Sequence, residues 1–122
     1  MSLKPGTVFL ADCPARLAIE IISSKWAVVT LFALGDGPLR HGELVELIGG
    51  VSRKVLTQTL RRLQDHGLIE RRVYAEAPPR VEYSLTELGE TLKEPITTLT
   101  AWARSHGGSI VDFRDSIEVI DY

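Results

Sequence analysis

The feature that most restricts how this chain can fold lies between Gly42 and Leu85. A short segment, GELVELI, carries an apolar stripe through Leu44, Leu47 and Ile48 and stops at Gly49-Gly50-Val51. Ser52 then opens a longer amphipathic stretch. Val51 and Leu56 are spaced as a hydrophobic staple around Ser52 as N-cap. This second helix is expected to run to about His66, with Gly67 as its stop. Two helices joined by a three-residue glycine turn form a helix-turn-helix candidate. Two β-branched segments follow, about Leu68 to Tyr74 and about Arg80 to Leu85, separated by turn-forming residues that include Pro78 and Pro79.

The rest of the chain reads as helices flanking that unit. Asp12-Cys13-Pro14 resembles a helix start, with Pro14 at the first helical position, followed by a stripe of Leu17, Ile21 and Ile22. Ser24 can cap KWAVVTLFAL, which Gly35-Asp36-Gly37-Pro38 ends. Apolar nearly all round, that helix is expected to be buried, with Trp26 in the core. Thr86 caps a long helix through about Ser105, which Pro95 should kink or split. Past His106-Gly107-Gly108, the residues Ile110, Val111, Phe113, Ile117 and Ile120 are spaced for a last amphipathic helix. Helix, glycine turn, helix and hairpin in this order are the layout of a winged helix, so the expected fold is mainly α (α+β), a winged helix-turn-helix. With 122 residues, one domain over 1–122 is expected: N-terminal helices about 13–35, helix-turn-helix plus wing 39–85, C-terminal helices 86–122. No apolar run approaches a membrane span, and no secretory signal is evident, which gives a cytoplasmic expectation.

Charge narrows the function. The chain carries a net −2, yet residues 51–80 hold seven Lys or Arg against three acids, and the remainder seven against thirteen. A basic segment on an acidic body suits local anion binding. At 100° per residue, Leu56, Leu60 and Leu63 fall on one face of the second helix, and Lys54, Thr57, Gln58 and Arg61 on the other. Gln pairs bidentately with adenine, and Arg or Lys with guanine. Taken alone, such a face equally fits a solvated helix surface. The hairpin shifts the balance, because a wing rides over phosphates and can place a cation in a narrow minor groove. Pro78-Pro79 stiffen that loop and would hold Arg80 out at its end. The alternative is a proline-stabilised loop whose arginine merely adds solubility.

Four stretches carry a wider resemblance: Cys13-Pro14, KW at 25–26, SRKVLTQTLRRLQDHGLIERRVY at 52–74, and PPRVEYSLTELG at 78–89. They are similar to the HxlR-type winged-helix transcriptional regulators, and the wing block favours that type over a MarR-like one. The resemblance implies a homodimer on a palindromic double-stranded DNA operator, with the terminal helices as dimerisation helices and the wings straddling the site. It places Ser52, Arg53, Lys54, Thr57, Gln58, Arg61 and Arg62 on the recognition helix, Pro79 and Arg80 on the wing, and Arg40 before the first helix of the motif. His41 stands where the family usually has an aromatic residue.

Some members of that family sense oxidants or electrophiles through a cysteine that Cys13 matches in position. A helix N-terminus favours its thiolate and Asp12 opposes it; the alternative is a small packed residue. His41, His66 and His106 are scattered, with no zinc-pair spacing. No cofactor or catalytic constellation is expected. Two other readings remain open: a winged helix that docks a protein partner, and a regulator that responds to a non-covalent small molecule.

Overall fold

The computed structural model describes residues 14–120. Helix α1 spans Pro14–Ile22 and α2 Lys25–Ala33, followed by a 3-10 turn at Leu34–Asp36. Helices α3 (His41–Ile48) and α4 (Arg53–Asp65) form the helix-turn-helix. Strands β1 (Ile69–Tyr74) and β2 (Arg80–Leu85) form an antiparallel hairpin, and α5 (Glu87–Glu90) and α6 (Lys93–Ile120) close the order. The fold is a winged helix-turn-helix, as the order of sequence signals implied. Leu39 adds a single bridge to the sheet, exchanging backbone bonds with Tyr83 at 3.0 and 2.8 Å. That bridge ties the entrance of α3 to the wing.

Local chemistry sets the boundaries of α4. Ser52 Oγ accepts from the Val55 amide at 3.1 Å, and the staple residues Val51 and Leu56 are buried. At the other end Gly67 takes φ +77°, its amide bonding the Gln64 carbonyl and the Leu68 amide that of Leu63. This pair of bonds is a Schellman motif. It also moves the start of the first strand one residue past the expected position, because the Leu68 amide still serves the helix. Leu56, Leu60 and Leu63 are fully buried against a core that includes Ala27, Leu31, Leu34, Leu44 and Ile69. One face of α4 is therefore fixed.

Several expectations are corrected. The long C-terminal helix is split before Pro95, not at it. Thr86 caps α5 by accepting from the Gly89 amide, and α6 begins at Lys93. Pro95 then lies in the first turn of α6, where a backbone N–H has no intrahelical partner to lose. Gly107-Gly108 do not end a helix either, since α6 runs through them to Ile120. Each glycine costs a helix about 1 kcal/mol relative to alanine. Stopping one usually requires a left-handed residue, and neither glycine has positive φ. Helix α2 is buried on one side only: Ala27, Thr30 and Leu31 are inside, Trp26 is partly covered and Phe32 is exposed. Leu17 and Leu47, both counted in apolar stripes, are exposed too.

Gly89 explains why the wing block continues past β2. A Cβ there would overlap the Leu68 carbonyl oxygen. That carbonyl accepts from the Thr86 amide at 3.1 Å, and the Thr86 hydroxyl bonds the Gly67 carbonyl. The end of α4 and the start of α5 thus share one tight joint.

Candidate nucleic-acid interface

With its apolar face fixed, α4 turns Arg53, Lys54, Thr57, Gln58, Arg61 and Arg62 outward, all exposed. Among the described residues, the side chains of Arg53, Lys54, Gln58, Arg61 and Arg62 make no hydrogen bond or ion pair. Four cations and one amide are thus presented on a rigid support, free of internal partners. Ser52 sits at the head of this row. Its oxygen serves the cap, which leaves its hydroxyl proton free to donate. Arg40 precedes α3, exposed, and its amide donates to Glu43 Oε1 at 2.8 Å.

The wing is built differently. Arg80 is the first residue of β2, opposite Tyr74 in the register, and is not held out on the loop as expected. Its guanidinium lies 4.2 Å from the centre of the Tyr74 ring. Nη2 is 3.3 Å from Glu76 Oε1, Nε is 3.4 Å from Glu82 Oε1, and the side chain is only 31% exposed. The physical reason is the strand period of two. Arg80 and Glu82 share one face, and the hairpin brings Tyr74 across to them. Pro79, the last residue of the loop before β2, is exposed. Arg72 is likewise engaged: its Nη2 is 3.5 Å from Glu70 Oε1. Nearby Tyr74, and then Glu70, hold that guanidinium above its ordinary pKa.

The contacts of two residues beside the exposed face of α4 were not foreseen from the sequence. His41, the first residue of α3, places Nε2 2.9 Å from Thr57 Oγ1. Lys25 lies over Trp26, Nζ 4.5 Å from the ring centre. Trp26, Ser24, Gln58 and Arg62 line an open groove of about 240 Å³ between α2 and α4. The KW pair could have flagged Lys25. The His41 contact spans sixteen residues and leaves no local signal. Cys13 lies outside the described residues. Among those described, no group of His, Cys, Asp or Glu is placed to hold a metal, and no single helix is long and apolar enough to cross a membrane.

A winged helix-turn-helix with a free cationic helix face is the architecture of a DNA-binding transcriptional regulator. The HxlR-like helix-turn-helix family matches residues 21–110, and the chain belongs to that family. It is 40% identical over 113 residues to the HTH-type transcriptional regulator YtfH of Escherichia coli strain K12, covering 93% of this chain and 90% of that protein. Its fold matches that of the transcriptional regulator ytfH from Salmonella typhimurium with a TM-score of 0.77 at 37% identity, over 88% of this chain and 96% of the other. The redox regulator HypR in its oxidized form superposes with a TM-score of 0.72 at 34% identity, over 76% and 96% of the two chains. The regulator class fits the expectation that the chain is not an enzyme.

Proposed function

We propose that this regulator acts as a homodimer on a palindromic operator, with α4 in the major groove and the β1–β2 wing over the adjoining minor groove. The observation that carries the reading is the row Lys54, Gln58 and Arg61, flanked by Arg53 and Arg62, free of internal partners on a helix locked to the core. A protein helix fits the major groove, and such side chains match base edges and phosphates. Ser52, Thr57 and Arg40 extend this surface, and Pro79 and Arg80 bring the wing to it.

Dimerisation is supported by α6, a 28-residue helix that leaves Leu99, Trp102, Ile110, Val111, Phe113 and Ile117 exposed. His106 stacks on Trp102 with centroids 5.0 Å apart, continuing the row. An apolar stripe of this length on a single chain marks an interface. On this reading residues 1–122 form one winged-helix domain whose terminal helices pair. The test is a gel-shift titration on DNA upstream of the protein's own gene, with salt varied. Saturable binding of one dimer per site, weakening steeply with salt as phosphate contacts release counterions, is the expected result. Retention of a protein partner with no DNA binding would favour the protein-docking alternative.

Two signals have separate support. The likeness to HypR supports thiol sensing through Cys13, by an intersubunit disulfide or a mixed disulfide or adduct with a small thiol or electrophile. Diamide should then change DNA affinity, and Cys13→Ser should abolish the change. A non-covalent effector is supported by an apolar cavity of about 280 Å³ between α1, α5 and the end of α4, lined by Ile21, Ile22, His66, Leu68, Leu88 and Leu92 among others. Leu88→Trp should fill it and remove such a response while sparing the diamide response.

A further inference from the structure

Two contacts at Thr57, to His41 and to the Arg53 carbonyl, together assign its hydroxyl proton. Thr57 Oγ1 is 2.8 Å from the Arg53 carbonyl oxygen and 2.9 Å from His41 Nε2. A hydroxyl has one proton to give. If it pointed at His41, two oxygens 2.8 Å apart would face each other with no proton between them. Both contacts are satisfied when Thr57 donates to Arg53 and His41 Nε2–H donates to Thr57. The neutral Nε2–H tautomer and the imidazolium each carry that proton.

One acceptor lone pair then remains on Thr57, within the row formed by Lys54, Gln58 and Arg61. We propose that His41 is a positioning residue for base recognition. The Arg53 carbonyl holds the hydroxyl proton and the His41 donation closes the rotamer on the other side, so the two together lock that hydroxyl as an acceptor-only contact, which selects an exocyclic amine, adenine N6 or cytosine N4, at the base pair beneath it. The inference rests on α4 reading the major groove as proposed above. An unconstrained threonine hydroxyl can rotate to serve a donor or an acceptor on the base. A fixed one cannot, and guanine O6 or thymine O4 would then meet it lone pair to lone pair. His41 is half-buried at the start of α3, which limits its own freedom to turn away.

The test is selection of bound duplexes from a randomised library, read as base preference at each position, for the wild type, His41→Phe, His41→Gln, Thr57→Val and the double variant His41→Phe with Thr57→Val. Phe keeps a ring of similar shape without the proton, and the Gln amide can still donate. The wild type should prefer an amine at one position per half-site by roughly fivefold to tenfold, the scale of one hydrogen bond. His41→Phe should erase that preference and leave the other positions unchanged, and His41→Gln should retain it. Thr57→Val should erase the same preference, and the double variant should do no more than either single change. Retention of the preference in His41→Phe, its loss in His41→Gln, or an equal change at every position would overturn the inference. A wild type that selects no sequence at all would overturn the reading of α4 itself, whereas a selective wild type with an indifferent His41→Phe overturns only the role of His41.

Discussion

Helix α4 leaves its cations unpaired, whereas two of the three arginines on the β1–β2 hairpin are held by carboxylates. On α4 the charged groups are exposed and unpaired while the opposite face is fully buried. On the hairpin Arg80 and Arg72 are paired with Glu76, Glu82 and Glu70, and Tyr74 lies against Arg80. DNA can engage α4 without breaking an internal contact. Engaging Arg80 requires phosphate to replace two carboxylates. These pairs are exposed or half-exposed, so the exchange is small in energy, of order 1 kcal/mol or less. On the proposed reading this difference ranks the two regions: the helix discriminates and the wing adds affinity.

The largest expected effect acts on the joint between the end of α4 and the start of α5, which flanks the hairpin at both ends. Gly89→Ala drives a methyl into the Leu68 carbonyl, where α4 ends and α5 begins. It should lower unfolding stability by about 3 kcal/mol, the upper range for overpacking, seen as a reduced denaturant midpoint. An unchanged midpoint would show that the joint yields to the methyl without cost. Next comes Arg61→Ala, a loss of about 1–3 kcal/mol in operator affinity if it pairs with a base, measured by fluorescence anisotropy. Arg80→Ala should lose no more than about 1 kcal/mol, spread evenly over all sequences. The smallest effect has the opposite sign. Glu82→Gln removes one of the two carboxylates on Arg80 and a negative charge from the wing, so DNA affinity should rise, by less than about 1 kcal/mol. A fall in affinity would mean that the pair holds the wing in its binding shape.

The fold was legible where the determining signals are local. The cap at Ser52, the glycine at 67 and the spacing of Leu56, Leu60 and Leu63 mark α4 and its buried face with no knowledge of the rest. The same spacing showed which side chains α4 would present. What escaped depends on distant parts. Glu82 lies two residues from Arg80, so their shared face was readable, but the Tyr74 and Glu76 contacts required the hairpin register. Gly107-Gly108 read as a break because glycine lowers helix propensity, yet the flanking residues carry α6 through. Phe32 and Leu47 looked like core because an apolar stripe does not say which of its members a neighbouring element covers. The His41 contact crosses the turn between α3 and α4, and periodicity within one helix cannot reveal it.

The most direct test of the division between helix and wing is a full base-by-base binding-energy profile of the operator for the wild type, Gln58→Ala and Arg80→Ala. Gln58→Ala should flatten the preference at one position in each half-site and leave the rest of the profile intact. Arg80→Ala should lower the whole profile evenly. An altered base preference in Arg80→Ala together with an unchanged one in Gln58→Ala would contradict the assignment of reading to α4.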